Sequence, residues 1–360
     1  MHELTNLEIM LLIKEFQVYE GAYIEKFYET GSDTFRLRIK KDRETTDILC
    51  ILCKALCKTR YIEKSDEPTN FCLAVRKRIL GGKITKINQL FEDRIIGIKI
   101  EKGGQEINLI LEMFGKGNLL ITNNELLIQL VYKSHTFKDR ALTAKAIYEP
   151  PKSRSVDGEI NYSTSKKRLI TLFSEQYNIG ALYIEDAMIK ESVEPKIIAQ
   201  DISKNSIERI EKRLQNLKKM LESFNYLLYT NQDGEIIDYA VSEISKYSNN
   251  KVEKFKSFQE LLDIAYSGRL HQKKENLEIE KTKASIQKQE LFVKEVDDEI
   301  AKNKELGEMI FKNMNILNHI IVELQKNSRL SEKEIDSITD SLKVLNVDRK
   351  NRILEVEFIA

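Results

Sequence analysis

Residues 76–100 read RKRILGGKITKINQLFEDRIIGIKI. Basic residues crowd the first half of this stretch, and the pair Gly81-Gly82 interrupts it. Asp93 and Arg94 follow side by side at the start of an apolar run rich in β-branched residues, which is typical of a strand. A charged pair at the start of a strand is held rigidly, so it can be aimed at a partner. Three kinds of partner fit: a phosphate, a nucleobase or another part of the same chain.

The composition is that of a chain with mixed charges. Its 360 residues suffice for two or three domains, and 41% hydrophobic residues supply at least one sizeable core. Charged residues make up 32% of the chain, yet the formal net charge is only +1. A nucleic-acid surface would have to come from local clustering of basic residues, because the net charge provides no attraction.

The sequence shows no targeting or membrane segment. Residues 7–13 are apolar apart from Glu8, but no basic segment precedes them and no small-residue cleavage site follows. No apolar run reaches the length of a membrane span. We therefore expect a cytoplasmic protein with reduced thiols and no membrane partner.

The first 165 residues predict an antiparallel, β-rich α+β domain. Residues 6–16 are expected to form a capped helix, and a second capped helix follows Pro68. β-branched runs separated by glycine-containing turns at 103–104 and 115–117 predict hairpins. The fold class expected for this domain is therefore α+β with one main antiparallel sheet.

A polar linker at 152–167 precedes a domain that we expect to be helical, at 166–267. Asn178 and Gly180 lie there between two helical runs and resemble the turn of a helix-hairpin-helix. In that motif a glycine lets backbone N–H groups reach a phosphate. An ordinary turn between helices explains the same residues equally well.

A heptad pattern predicts a coiled-coil helix at 268–327. Apolar residues recur every seven positions from Ile286 to Ile321, with weak positions at Asn303 and Gly307. Such a seam needs a partner strand, which we expect from a second chain or from further sequence of the same protein. The final segment, 328–360, is expected to begin the middle region of the coiled coil.

The residue types that usually carry catalysis or metals form no recognisable site. No GxSxG, P-loop or HExxH motif is present, and the four histidines lack ligand spacing. The four cysteines lie among apolar residues, which favours buried thiols over zinc ligands: Cys50, Cys53, Cys57 and Cys72. We therefore expect no metal, no cofactor and no enzymatic reaction of the chain's own.

Two basic clusters are candidates for holding a phosphate backbone. The first lies on the polar face of a predicted strand and consists of Arg36, Arg38 and Lys40. The second flanks a helix end and a glycine turn and consists of Arg76, Lys77, Arg78, Lys83 and Lys86. A solvated surface balanced by nearby acids explains both clusters equally well.

Several segments, in order along nearly the whole chain, resemble the NFACT family. INQLFEDRIIGI resembles the family's Gln-x-x-x-Asp-Arg-Ile signature, and LILEMFGKGNLLITN resembles its Gly-Asn hairpin. The other matches are LTNLEIMLLIKEF, the proline-led helix from Pro68, RALTAKAIYEPPKS, and SFQELLDIAYS before the heptads.

The resemblance implies a factor of ribosome-associated quality control. Such factors bind the large ribosomal subunit carrying obstructed peptidyl-tRNA, recruit tRNA and support C-terminal tailing of the stalled chain without mRNA. Bacterial members add alanine, which makes alanyl-tRNA a candidate partner. The ribosome performs the peptidyl transfer, so the factor is not an enzyme in the usual sense.

The resemblance also implies which residues contact tRNA. Asp93 and Arg94 match the family's Asp-Arg pair, and Glu8 stands where the family usually has Asp. Arg76, Lys77 and Lys83 are expected to join them. Secondary contacts with the RNA backbone are expected from Arg36, Arg38, Glu112, Lys116, Asn118 and Gly180.

Two further expectations follow from the resemblance. The family's C-terminal RNA-binding domain and returning coiled-coil strand have no counterpart, so we expect the chain to be the N-terminal part of a longer protein. The first domain also resembles that of formamidopyrimidine-type DNA glycosylases. Those use an N-terminal proline amine as the nucleophile, but this chain begins Met1-His2-Glu3, so we expect no glycosylase activity and no DNA partner.

The alternative hypothesis is a protein-interaction scaffold. The coiled coil, or a fibronectin-binding-like surface, would then be the functional part, and the first domain would have no direct role with tRNA.

Overall fold

A computed structural model describes residues 1–62, 67–152, 161–219, 224–327, 329–338 and 341–359. It divides the chain into two compact units, Met1–Lys273 and Lys274–Ala360. The central part of the linker predicted at 152–167 lies outside the described residues.

The first unit contains a nine-stranded antiparallel sheet with the order β4-β3-β2-β1-β5-β6-β7-β8-β9. Each half is a meander of hairpins, and the halves meet where Tyr23 of β1 pairs with Lys83 of β5. The predicted glycine turns lie between β6 and β7 and between β7 and β8, so these hairpins are confirmed. The strands are β1 Tyr23–Gly31, β2 Thr34–Lys41, β3 Glu44–Ile51, β4 Ala55–Lys58, β5 Lys83–Gln89, β6 Ile95–Lys102, β7 Gln105–Glu112, β8 Asn118–Asn123 and β9 Ile128–Val131.

Two helices pack with this sheet, and both agree with the predicted capping signals. Helix α1 spans Asn6–Phe16, and its N-cap is Thr5, whose hydroxyl accepts a hydrogen bond from the Glu8 N–H. Helix α2 spans Asn70–Ile79, and the Thr69 hydroxyl accepts from the Cys72 N–H. Each helix buries its apolar face in the main core.

The second face of the sheet is covered at β6–β9 by the segment that follows β9. Ile95, Ile110 and Leu120 form a smaller core there with Leu142 and Tyr148. This segment contains a two-stranded hairpin, β10 His135–Thr136 and β11 Ala141–Leu142.

The remainder of the first unit is mixed rather than helical. This part contains helices α3 Leu169–Tyr177, α4 Ala181–Lys190, α5 Lys204–Lys219 and α6 Phe258–Leu262, together with a three-stranded sheet of β12 Tyr226–Thr230, β13 Ile236–Ala240 and β14 Lys251–Phe255. The prediction of an all-helical region is wrong here. The apolar and aromatic run at 226–230, followed by Asp233-Gly234, is a hairpin signal that outweighs the helical spacing.

The predicted long helix, most of which belongs to the second unit, is divided in two. Helix α7 spans Arg269–Lys312, Asn313 leaves the helical conformation, and α8 spans Met314–Lys326. The heptad residues Ile286, Val293 and Ile300 are about half exposed, so within the described residues no second strand covers them. Their pairing in a coiled coil stays a prediction.

The last segment is a short helix and a hairpin instead of a coiled-coil extension. Helix α9 spans Glu332–Asp336, and strands β15 Leu342–Asp348 and β16 Ile353–Phe358 pair antiparallel. Alternating apolar and polar residues favour a strand over a helix at 342–348. No described helix of the chain is long and apolar enough to cross a membrane.

Candidate functional site

Four hairpin turns gather at one edge of the folded sheet, although β1 and β5 run in opposite directions and pair only at their first residues. The two halves meet there, because the Cys53 thiol lies 3.7 Å from the Gly115 carbonyl and Lys133 Nζ lies 2.6 Å from the Asp33 carboxylate. They join β1 to β2, β3 to β4, β5 to β6, and β7 to β8. The Leu52 N–H donates to the Asp33 carbonyl at 3.0 Å, and the Met113 N–H donates to the Arg94 carbonyl at 2.8 Å. We call this edge the turn end.

Asp93 and Arg94 lie in the β5–β6 turn, residues 90–94, which we call the Arg94 loop. The Asp93 carboxylate accepts the Arg94 backbone N–H at 2.7 Å. Asn6 of α1 and Asn178 of the α3–α4 turn both donate side-chain amides to the Glu92 carbonyl, at 3.0 and 2.9 Å. Two separate parts of the chain therefore hold the same peptide unit.

The Arg94 guanidinium is loosely paired and accessible. Its Nη1 lies 3.5 Å from a carboxylate oxygen of Glu3, and the two side chains are 33% and 50% exposed. Among the described residues, the Asp93 and Arg94 side chains form no ion pair with each other. Most of the guanidinium donors therefore face solvent or the Phe114 ring.

The Arg94 loop is strained at two consecutive residues. Phe91 and Glu92 have φ values of +56° and +50°, in the left-handed region that bulky residues avoid. The Phe91 side chain is 49% exposed. The strained loop thus carries an aromatic side chain that is exposed to solvent instead of buried.

The expectation that Glu8 contacts tRNA is wrong, because its side chain lies inside the protein. Glu8 is fully buried. Its carboxylate accepts hydrogen bonds from the Thr5 N–H at 2.8 Å and the Tyr183 hydroxyl, and it pairs with the His2 Nε2 at 2.8 Å. Thr5-x-x-Glu8 is a capping box, a sequence signal that could have indicated this inward role.

His2 and Asp238 complete a buried network that the sequence did not reveal. The His2 Nδ1 lies 2.8 Å from the Asp238 carboxylate, which also accepts the Tyr247 hydroxyl at 2.7 Å. We call Glu8, His2, Tyr183, Asp238 and Tyr247 the buried network. It ties the first residues of the chain to α1, α4 and β13.

The charges of the buried network support one another. Burial alone would lower the pKa of His2, but the charges and hydrogen bonds of Glu8 and Asp238 together raise it to about 10. Burial opposes ionisation of Asp238 as well, yet its bonds to His2 and Tyr247 lower its pKa to about 2. His2 is therefore protonated at neutral pH, between the side chains of Glu8 and Asp238.

The prediction of a free basic face on β2 is also wrong for its two arginines. Arg36 is buried, and its Nη1 lies 3.2 Å from the Asp47 carboxylate while its guanidinium covers the Tyr28 ring. Arg38 binds the same carboxylate with two of its nitrogens. Asp47 lies opposite Arg38 on β3, so these arginines satisfy an internal acid, and only Lys40 of this face is exposed.

The second basic cluster lies at the other end of β5 and β6 from the Arg94 loop. Arg76 donates to the Phe27 carbonyl at 2.7 Å and is half-buried, whereas Lys77 and Lys83 are exposed. Lys83 begins β5, whereas the Arg94 loop follows Gln89 at its end. At a rise of roughly 3.3 Å per residue, the two ends are about 20 Å apart. The structure does not bring these lysines to Arg94.

The residues of the Gly-Asn hairpin are mostly structural. Glu112 is buried and paired with Arg140 at 2.5 Å, and it accepts the Tyr148 hydroxyl at 3.0 Å. The buried Asn118 side chain bonds to both the N–H and the carbonyl of Lys133. The expectation that Glu112 and Asn118 contact RNA directly is therefore wrong, because both side chains are buried and bonded within the protein. Lys116 is exposed at the turn end.

Gly180 is required by close packing. Its φ is +119°, and a Cβ there would lie 2.5 Å from the methyl carbon of Thr5. The first turns of α1 and α4 therefore approach each other at the Arg94 loop. The phosphate-binding role expected for Gly180 stays a prediction.

The described cysteines are free and buried. Burial raises the pKa of Cys50 to about 12 and that of Cys53 to about 11, so neither thiol is activated. Within the described ranges, no three side chains of His, Cys, Asp or Glu are grouped to hold a metal ion.

Comparisons with known proteins agree with the resemblance. The family model for NFACT N-terminal and middle domains matches residues 5–347. The archaeal Rqc2 homolog aRqcH of Methanocaldococcus jannaschii is 24% identical over 349 residues, covering 89% of this chain and 51% of that protein. The human ribosome quality control complex subunit NEMF is 21% identical over 342 residues, covering 84% of this chain and 32% of that protein. The chain thus spans about half or less of the length of these curated relatives.

A solved structure shares the fold. The fibrinogen binding protein from Staphylococcus aureus superposes with a TM-score of 0.57 at 18% identity, covering 73% of this chain and 98% of that one. At this identity the match supports the α+β architecture with its large sheet, and nothing about ligands.

Proposed function

Because the chain belongs to the NFACT family, we propose that it is a ribosome-associated quality control factor. In this proposal it binds tRNA and the large ribosomal subunit with obstructed peptidyl-tRNA, and it supports mRNA-independent C-terminal tailing of the stalled chain. The names of the archaeal and human relatives support the ribosomal role. The ribosome would carry out peptidyl transfer, and the factor would position tRNA in the cytosol.

The observation that carries the proposal is the Arg94 guanidinium, which extends from an anchored loop and is only loosely paired. Arginine binds phosphates and guanine edges through two parallel hydrogen bonds. The amides of Asn6 and Asn178 anchor the loop backbone from which Arg94 extends, through the Glu92 carbonyl. The weak contact with exposed Glu3 is easily exchanged for an RNA acceptor.

The exposed lysines would extend the contact along the RNA backbone. Lys116 lies at the turn end, and Lys77 and Lys83 lie about 20 Å away at the other end. A folded tRNA is long enough to reach both ends. In this role the lysines contribute affinity and salt dependence, at a slope of about −0.7 to −0.9 per phosphate contact, and no choice of sequence.

The test is tRNA binding by the 360-residue chain, with fluorescently labelled unfractionated tRNA and purified protein. Asp93→Ala with Arg94→Ala should abolish binding and leave the melting temperature unchanged. Lys204→Ala with Glu208→Ala removes an exposed acid–base pair on another surface, α5, and serves as the matched control. Wild-type affinity in the Asp93–Arg94 double variant would refute the proposal. For the tailing step, the same variant introduced into the protein as expressed in its cell should lose tailing of stalled chains.

A scaffold role is the second candidate. One observation favours it: the half-exposed apolar residues along α7. Val293→Glu with Ile300→Glu disrupts the apolar stripe of α7 and leaves the Arg94 loop intact. With the same labelled tRNA, the leading proposal predicts wild-type affinity for this variant. The scaffold role predicts no tRNA binding by the wild-type chain, and loss of bound protein partners in the α7 variant.

A further inference from the structure

Aromatic rings and guanidinium groups alternate outward from Arg94. The Cζ atoms of Arg94 and Arg140 each lie 5.9 Å from the centre of the Phe114 ring. The Cζ of Arg140 also lies 5.0 Å from the centre of the Phe137 ring, which meets the His135 ring edge to face at 4.4 Å. These distances are those of cation–π and edge-to-face contacts. We call these five residues the aromatic ladder.

The inner part of the aromatic ladder is buried and hydrogen-bonded, whereas its outer part is exposed to solvent. The Arg140 side chain is only 6% exposed, because Glu112 binds it and Tyr148 donates to the same carboxylate. Phe137, in contrast, is 43% exposed, and His135 is exposed as well. The anchored guanidinium therefore orients a phenyl ring that remains accessible to a ligand.

A second open ring lies in the Arg94 loop. Phe91 adopts the left-handed conformation noted above, which typically costs about 1–3 kcal/mol, and it still leaves half of its side chain in solvent. Its ring centre is 6.3 Å from that of Tyr148, which anchors the ladder through Glu112. A strained backbone that exposes an apolar ring points to a use for that ring.

We propose that Phe137, supported by His135, and Phe91 are stacking platforms for unpaired nucleobases of an RNA loop. This inference rests on the proposed function, in which the same RNA contacts Arg94. Aromatic side chains stack on any base, whereas arginine and asparagine side chains read base edges. In a duplex the base faces are covered, so these platforms select a single-stranded loop. The ladder thereby assigns the turn end to the loop, and the distant lysines to the backbone of the same RNA.

Fluorescence tests the stacking directly, because the chain contains no tryptophan. Phe137→Trp and Phe91→Trp each place a single indole at a platform. Phe292→Trp is the matched control, at a 65% exposed aromatic on α7, which takes no part in the proposed RNA contact. Saturating amounts of an RNA hairpin with an unpaired loop should quench the indoles at 137 and 91 and leave that at 292 unchanged. Unchanged emission at 137 and 91 with the hairpin bound would overturn the inference.

Affinity provides the second measurement. Phe137→Leu keeps an apolar side chain but removes the π-face, and it should lower the affinity for the hairpin about tenfold, as should Phe91→Leu. Affinity for a blunt RNA duplex of equal length should not change, and neither should the melting temperature. If both variants bind the hairpin like wild type while Arg94→Ala does not, the stacking inference fails and the proposed function stands. If the wild-type chain binds neither RNA, both fail.

Discussion

The Arg94 loop and the buried network use similar charged residues in opposite ways. In the network, His2 lies at 2.8 Å from each of two carboxylates and is mostly shielded from water. In the loop, Arg94 is a third exposed and 3.5 Å from its nearest acid. The charges of the network are satisfied within the protein, whereas those of Arg94 are held in position but left available. Burial and pairing, more than residue type, separate a charge that stabilises the fold from one that can recognise a ligand.

The largest expected effect is on the buried side of this comparison. Glu8→Ala leaves the His2 imidazolium and the Tyr183 hydroxyl without their shared partner, so the free energy of unfolding should fall by about 3–5 kcal/mol. Urea denaturation followed by circular dichroism measures it. Glu3→Ala, an exposed acid on the same segment, is the control and should cost less than about 1 kcal/mol. Equal losses of unfolding free energy in the two variants would contradict the difference between the buried network and the Arg94 loop.

The pH dependence of stability should report the same network. The pKa of His2 is about 10 in the folded chain, above its ordinary value of 6.5, so its stabilisation is complete below pH 6.5 and is lost as the pH rises through 10. The pKa of Asp238 is about 2, below its ordinary 3.8, so its stabilisation is present above pH 3.8 and is lost as the pH falls through 2. Melting temperatures of wild type and Asp238→Asn, measured from about pH 2 to about pH 10, test both the acidic and the alkaline loss of stability. Parallel curves for the two proteins would contradict the coupling.

A smaller effect is expected where the two regions meet, at Gly180. Gly180→Ala combines a φ of +119° with a contact of 2.5 Å to the Thr5 methyl, and it should cost about 2 kcal/mol of stability. Gly103→Ala, with a φ of +57° and nothing within 4 Å of the added carbon, isolates the backbone part and should cost about 1 kcal/mol. Thr5→Ser removes the methyl and keeps the capping hydroxyl, so it should recover part of the loss in Gly180→Ala. No recovery would mean that this contact is not what requires glycine.

The smallest effect on stability is expected for Arg94 itself. Arg94→Ala removes an exposed, loose ion pair, so the free energy of unfolding should change by no more than about 0.5 kcal/mol. Chemical denaturation measures it, with Arg36→Ala as the contrasting variant, because Arg36 is buried against Asp47 and should cost several kcal/mol. A large loss for Arg94→Ala would make Arg94 a structural residue and weaken its proposed role with RNA.

Local signals in the sequence predict much of the framework. The bounds of α1, the cap of α2 and the glycine hairpins follow from capping residues and turn chemistry, which act within a few positions. The placement of Asp93 and Arg94 at the mouth of a strand follows from the same short-range pattern. These parts can be predicted because their causes lie within the segment itself.

The remaining features depend on contacts between distant residues. Alternation along β2 indicates an exposed basic face, but the register with β3 sets Asp47 against Arg38 and beside Arg36. The pairing of Glu8 with His2 and of His2 with Asp238 likewise requires the folded chain. In both of these cases a long-range partner, absent from any local window, determines the outcome. The sheet at 226–255 is different, because its hairpin signal at Asp233-Gly234 is local but lies among strongly helical segments.

The link from His2 to Asp238 also sets an order of events during synthesis. The two residues are 236 positions apart. At the usual rate of roughly 5–20 residues per second, His2 is made about 10–50 seconds before its partner. Throughout that interval Glu8 can form its capping box but not the complete network, so α1 can take shape early while its final anchoring waits. A ribosome that stalls before residue 238 therefore holds a chain whose first helix cannot yet be locked to the module that follows it.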